Sequence, residues 1–419
     1  MIKRNIALVF STNALILGTS VVTSLLGAWA LGPEGRGEVA LVTLWPHLFM
    51  YFASLGMPHA MRYWAARRAD WTSALISQSI LYAMVAGTVA LIGAELFVPF
   101  WVGPRHPTLI WMIRLFLFNV PLILLFELLR GVLEGARQFG WLGAARFAFF
   151  GAQGIGYAAL FLTGRLTVKT AVLTIALAQV ACTALALIAV LRELRPVWGT
   201  SREVFQETLR YGLRSYPGQL TENSMLRLDQ VMLASLASSA FIGLYAVAVA
   251  LAEITVTLGS AVSDAMLPEV AVTTIKKDAR HLLSRGLLFL GGAQLLAIVP
   301  ACWLAPYLLG LVYGHEFAAA TDALRVLLVA SAILSLGNLL ISGLNGLGHP
   351  GLSAWSRIAA TLTTIVTMPL FLRWGLVGAA AATLSGYFVL LALALLFHYR
   401  LKRLEAMPEN DLAIAFSAE

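Results

Sequence analysis

The sequence predicts an all-α polytopic membrane protein with twelve transmembrane helices in two bundles of six. Composition, the run length of its apolar segments, and a doubled pattern along the chain all point that way. Of 419 residues, 59% are hydrophobic and only 12% are charged, where a soluble domain carries about 25% charged residues. So few charges cannot cover a water-facing surface, which excludes a soluble enzyme. Lysine and arginine exceed aspartate and glutamate by 29 to 21. That excess serves membrane topology rather than nucleic acid. Cys182 and Cys302 both sit inside apolar runs, which fits neither a disulfide framework nor a zinc site.

A bilayer core of about 30 Å needs about 20 apolar residues per helix. Apolar runs between glycine, proline and charged punctuation fall at 5–31, 39–62, 75–102, 109–133, 142–162 and 171–191 in the first half. In the second half they fall at 208–236, 241–265, 282–313, 323–347, 352–372 and 376–399. The second and seventh runs are the most polar. The first follows Lys3-Arg4 and ends in Ala28-Trp29-Ala30, but it exceeds a signal-peptide core in length and is read as an uncleaved span. With the N-terminus inside, eighteen lysines and arginines fall on the cytoplasmic side and five (Arg36, Arg105, Arg165, Lys169, Arg373) outside. That is the positive-inside bias expected of a plasma-membrane protein with both ends cytoplasmic. External connections are short, and neither a phosphate-binding G-x-x-x-x-G-K-[ST] loop nor an H-E-x-x-H motif occurs. No catalytic residue, cofactor or metal is therefore expected, and the work falls to the helices.

The halves echo one another. Gly37-Glu-Val-Ala-Leu matches Gly243-Leu-Tyr-Ala-Val at an offset of 206, and Arg114 matches Arg325 at 211. Gly131 matches Gly343 at 212, and Arg146 matches Arg357 at 211. Six spans per half make the repeat parallel, about an axis along the membrane normal. The expected organisation is an N-terminal lobe at 1–194, a cytoplasmic linker at 195–207, a C-terminal lobe at 208–403, and a flexible cytoplasmic tail at 404–419.

Charge inside a bilayer is costly, about 2.5–3.5 kcal/mol per group on insertion scales, so such residues face protein or water. The seventh span is rich in them. At about 100° per residue, Arg214, Gly218, Thr221, Glu222 and Asp229 share one arc, with Gln219, Asn223, Arg227 and Gln230 roughly opposite. A helix polar on two faces belongs between the bundles, and Pro217-Gly218 gives it a hinge. The residues read either as a self-satisfied Arg227–Asp229–Glu222 network or as a cationic site for an anionic headgroup. Other cavity candidates are Asn13 in the first span, with His47 and Arg62 in the second. Such stripes are more often helix–helix contacts than cavity lining. Glu253 and Glu222 are candidates for a coupling cation or proton, and Glu127 also lies deep in its span.

Four segments carry a family resemblance. They are Leu31-Gly-Pro-Glu-Gly-Arg-Gly37, Arg227-Leu-Asp229 through Ile242-Gly243-Leu-Tyr245, Val312-Tyr313-Gly314-His-Glu-Phe317, and Gly343-Leu-Asn345-Gly346-Leu-Gly348. In this order they resemble the O-antigen type polysaccharide flippases of the MOP superfamily, which also holds the MATE drug exporters and the lipid II flippase. The resemblance implies a V-shaped, MATE-like pair of six-helix lobes around a cavity. It further implies movement of an undecaprenyl-diphosphate-linked oligosaccharide from the cytoplasmic to the outer leaflet by alternating access. The family's cationic cavity maps onto Arg214 and Arg227, and its acidic position onto Asp229. A polysaccharide polymerase and a chain-length regulator are the implied partners, with no nucleic acid. The lipid II branch has two further helices, and MATE exporters often have an acid in the first helix where this chain has Asn13. A MATE-type exporter of small organic cations is the alternative, which arginines at the site disfavour by like-charge repulsion. A membrane polymerase or ligase would need a long external loop, and the sequence offers none.

Overall fold

The computed structural model describes residues 2–194, 196–199, 201–272, 276–347 and 349–405; side chains at 2–14, 222–224, 226, 257–282, 346, 350 and 402–405 are not among those described. Thirteen α-helices occur among the described residues: α1 (Ile2–Ser54), α2 (Met57–Arg67), α3 (Thr72–Val102), α4 (Ile110–Leu117), α5 (Val120–Gly135), α6 (Phe139–Leu162) and α7 (Val168–Ala189), then α8 (Arg202–Leu236), α9 (Ser239–Val272), α10 (Lys276–Tyr307), α11 (Thr321–Gly346), α12 (Pro350–Phe371) and α13 (Gly375–Glu405). The predicted tail beyond Glu405 lies outside the described residues.

Helices and expected spans differ in instructive places. The external loop expected at 32–38 shrinks to one residue: α1 breaks only at Gly32, whose φ of 61° favours glycine, and turns helical again at Pro33. The expected second span is interrupted at Leu55-Gly56, both at positive φ, before α2 begins. The expected fourth span divides at Phe118-Asn119 into α4 and α5, bent by 43°. Pro121 in the first turn of α5 lacks the N–H that would continue the ladder from α4. The helix α8 starts at Arg202, inside the stretch expected as linker.

Among the described residues, eight helical segments are long and apolar enough to cross a membrane, or nine with the bent α4–α5 pair. Two of the eight, 40 and 51 residues long, are each long enough for two crossings at 1.5 Å per residue. The helix α8 is not among the eight, because its arginines and glutamates make it too polar.

The chain packs into two compact units. The first comprises Met1–Asn223, Gln230–Ala246 and Val312–Phe317; the second comprises Ser224–Asp229, Val247–Leu311 and Ala318–Glu419. In the first, Met57, Leu75, Leu124, Leu128, Leu129 and Val132 form a core joining α2, α3 and α5. In the second, Leu334, Leu340, Leu344, Ala360 and Leu390 join α11, α12 and α13.

Within the first unit, three of the four resemblance segments meet. A Cβ on Gly37 would collide with the Ser239 carbonyl, and one on Gly243 with the Pro33 carbonyl. The two glycines that match at an offset of 206 thus pack backbone against backbone. Close by, Trp29 Nε1 donates to the Val312 carbonyl at 2.7 Å, and Tyr313 Oη donates to Ser24 Oγ at 3.3 Å. Arg105 donates to the Leu236 carbonyl at 3.1 Å. Other matched positions behave alike inside their own units. Arg114 pairs with Glu95 of the preceding span at 3.4 Å, and Arg325 donates to the Cys302 carbonyl of its preceding span at 3.2 Å. Gly131 sits against the Pro58 carbonyl, and Gly343 against Leu283 and His398.

Candidate functional site

Two polar constellations stand out, one in each unit. In the first, α5 carries Glu127, Arg130 and Glu134 at i, i+3 and i+7, so all three share one face. Arg130 pairs with Glu127 at 2.6 Å and reaches Glu134 at 3.9 Å. Arg62 of α2 pairs with the same Glu134 at 3.4 Å and lies 3.4 Å from His59 Nδ1. Arg146 of α6 lies within electrostatic reach of Glu127, Glu134 and Arg130. Three guanidinium groups against two carboxylates leave one positive charge over. Glycine lets the helices close around this cluster: Gly131 and Gly135 bring α5 onto the α2 backbone at Pro58 and Arg62.

In the second unit, Asp229 of α8 is only 4% exposed. Thr383 of α13 donates to its Oδ2 at 3.4 Å. Arg227 pairs with Glu253 of α9 at 3.6 Å. Asp229, Glu253, Ser331, Thr383 and Tyr387 line one small pocket, walled otherwise by Val249, Ala252, Val256, Leu327 and Leu334. Two carboxylates, two hydroxyls and a phenol in an apolar wall form an oxygen-rich setting that suits a proton or a small hard cation. Among the described residues, no group of three or more His, Cys, Asp or Glu side chains is placed to hold a metal ion.

The candidates named from sequence fall as follows. Arg227, Asp229 and Glu253 come together, although the helical wheel set Arg227 and Asp229 on opposite arcs. Arg62 joins the first cluster. Arg214 is exposed and belongs to the first unit. The exposed His47 has its Nδ1 3.0 Å from the Thr43 carbonyl of its own helix. The helix α8 runs unbroken through Pro217-Gly218, and Thr221 donates back to the carbonyls of both at 2.9 Å. The side chains of Asn13, Glu222 and Asn223 lie outside the described residues. Missed from sequence were Arg130, Glu134 and Arg146, and the Ser331, Thr383 and Tyr387 lining. Arg130 was counted among the cytoplasmic charges, yet its i+3 spacing from Glu127 was a visible sign of pairing. Thr383 and Tyr387 stand at i and i+4 in α13, again one face.

A family model described as polysaccharide biosynthesis protein matches residues 26–322, and the chain belongs to that family. A probable low-salt glycan biosynthesis flippase of Haloferax volcanii, Agl15, is 25% identical over 170 residues, covering 39% of this chain and 35% of that protein. The match thus spans about a third of that relative's length. The fold is that of MOP-superfamily transporters. An inward-facing multidrug resistance MATE transporter aligns with a TM-score of 0.75 at 16% identity, over 93% of this chain and 95% of its own. An outward-facing one gives 0.66 at 17% identity, covering 96% and 97%. A MOP transporter from Pyrococcus furiosus, reported with a binding pocket of reversed polarity, gives 0.67 at 16%, covering 96% and 95%.

Proposed function

We propose that the protein is a flippase carrying undecaprenyl-diphosphate-linked oligosaccharide from the cytoplasmic to the outer leaflet of a bacterial plasma membrane, by alternating access, for surface polysaccharide. The observation that carries this reading is the arginine cluster inside an apolar helical unit of a polysaccharide-biosynthesis family member. Arg62, Arg130 and Arg146 outnumber Glu127 and Glu134, and arginine is the side chain suited to phosphate, through its fixed fork of donors. Arg214 and Arg227, with Asn223, Asn13 and His47, are the further residues that would meet the cargo. The name of the Haloferax relative supports the same class of work, translocation without bond-making. The two lobes, 1–194 and 208–403, part and close around the cargo, with Pro217-Gly218 as the hinge of α8.

Energy enters at the second pocket. A proton or cation held by Asp229 and Glu253 (with Glu222 as a further carboxylate) competes with Arg227 for Glu253. Loading the pocket then frees the guanidinium for the diphosphate, and cargo release returns it. A polymerase and a chain-length regulator act on the delivered product.

The test is complementation of a deletion strain with Arg62→Ala, Arg214→Ala and Arg227→Ala. Each variant is expected at wild-type level in the membrane, with lipid-linked sugar accumulating on the cytoplasmic face and surface polysaccharide falling at least about tenfold. That corresponds to losing one charge-assisted contact. Normal surface polysaccharide in all three variants would overturn the role of the arginines. A deletion strain whose sole defect is sensitivity to organic cations would favour the exporter instead.

A further inference from the structure

A groove of about 470 Å³ runs between α3 and the first turns of α8, lined by Gln78, Leu81, Tyr82, Val85, Ser201 and Phe205 among others. Both walls belong to the first unit. Its middle is apolar and open: Leu81 is 54% exposed, Val85 59% and Phe205 40%, on a helix long and apolar enough to span the bilayer. Its polar end is different in kind. Arg202, also in the lining, is exposed, and the N-terminus of α8 presents backbone N–H groups there. Ser201 caps one of them by accepting from Val204 N.

Gln78 supplies a second, independent sign. It is 5% exposed, and its Nε2 donates to Thr208 Oγ1 at 2.6 Å. Thr208 spends its own proton on the carbonyls of Val204 and Phe205, so it can only accept from Gln78. The amide orientation is thereby fixed, and the buried Oε1 is left without a partner. A buried acceptor with nothing to accept destabilises the fold, a cost that a ligand with a hydroxyl donor would remove.

We propose that this groove binds one anionic glycerophospholipid of the cytoplasmic leaflet. An acyl chain lies along Leu81, Val85 and Phe205. The phosphate meets Arg202 and the positive end of α8, and a headgroup or glycerol hydroxyl donates to Gln78 Oε1. Glu203, the acid next to Arg202, lies within electrostatic reach of Arg68, which offsets its repulsion of the phosphate. The volume falls in the small-ligand range, and a lining that is mostly aliphatic and aromatic with one arginine suits a phospholipid better than an oligosaccharide. The bound lipid ties α3 to the start of α8, so anionic lipid content sets how freely α8 moves.

Native mass spectrometry of the full chain in detergent tests this, with dioleoyl phosphatidylglycerol or dioleoyl phosphatidylcholine added. One phosphatidylglycerol should stay bound where phosphatidylcholine does not. Arg202→Gln and Gln78→Leu should each weaken retention by up to about tenfold, the worth of one charge-assisted or buried hydrogen bond. Val85→Trp should fill the groove and abolish retention. Val89→Trp, at a position 65% exposed one turn further along α3, should leave it intact. Where Val85→Trp fails to give a monodisperse protein, the Gln78 and Arg202 variants carry the test. Equal retention of the two lipids, equal behaviour of the two tryptophan variants, or preferential displacement by a polyprenyl phosphate would each overturn the proposal. The last outcome would assign the groove to the cargo's own tail.

Discussion

At the scale of single residues, the contact between Gly37 and Gly243 is among the tightest that the described residues make. Neither position has room for a methyl group, because each would drive a Cβ into a neighbouring carbonyl. Backbone cannot rotate aside as a side chain can. Gly37→Ala and Gly243→Ala are therefore expected to lower stability by about 1–3 kcal/mol or more, read as a fall in melting temperature of the purified protein. Gly291→Ala is the comparison: nothing lies within 4 Å of the added carbon, and in the interior of α10 the change should stabilise by up to about 1 kcal/mol. The charged residues divide differently between sequence and structure. Glu253 could be singled out in the sequence because an acid in an apolar run is conspicuous by itself, and Asp229 because its whole run is unusually polar. Arg130 stands i+3 from Glu127, a spacing that signals pairing, yet an arginine near the end of a run also reads as a group reaching for water. Its ion-pair partners Glu127 and Glu134 lie on α5 itself, but the cluster is completed by Arg62 of α2 and Arg146 of α6, and no local pattern records which helices become neighbours.

At the scale of elements, α8 holds the most consequence. It carries Pro217 in its interior, where proline costs about 3 kcal/mol in a helix by removing a hydrogen bond and crowding the preceding turn. Pro217→Ala should raise the melting temperature while slowing delivery of polysaccharide to the surface by about tenfold, if bending at this point is part of the cycle. Unchanged transport in a stabilised variant would make the proline incidental. Helix existence was readable nearly everywhere, since runs of about 20 apolar residues leave few alternatives. Helix ends were less readable. Leu55-Gly56 and Phe118-Asn119 break runs that hydrophobicity alone treats as continuous. The first break is shaped by Gly56 lying against the Gly212 carbonyl of α8, a contact between residues far apart in sequence. The polar composition that marked α8 as special is also what removes it from an apolarity count.

For the whole molecule, the distribution of lysine and arginine makes a topological prediction. Alkaline phosphatase fused after Gly164, between α6 and α7, should be active. A fluorescent protein fused after Glu405 should mature and shine, and phosphatase placed at Asp70 should be inactive. Activity at both Gly164 and Asp70 would require a different number of crossings between them. The repeat was legible as four offsets between 206 and 212, and the folded units give those offsets physical content. Arg114 and Arg325 each reach the span before their own, and Gly131 and Gly343 each mark a close helix approach. The offsets alone could not reveal that one matched pair meets itself across the repeat.

That meeting has a mechanical consequence. Side chains that interlock must change rotamer before two surfaces can separate, and each such change adds to the barrier. At Gly37 and Gly243 there are no rotamers to change: two bare peptide ribbons lie together. The fit of such a contact is set by the shape of the main chain alone, so a side chain added at either position would push α1 and α9 apart.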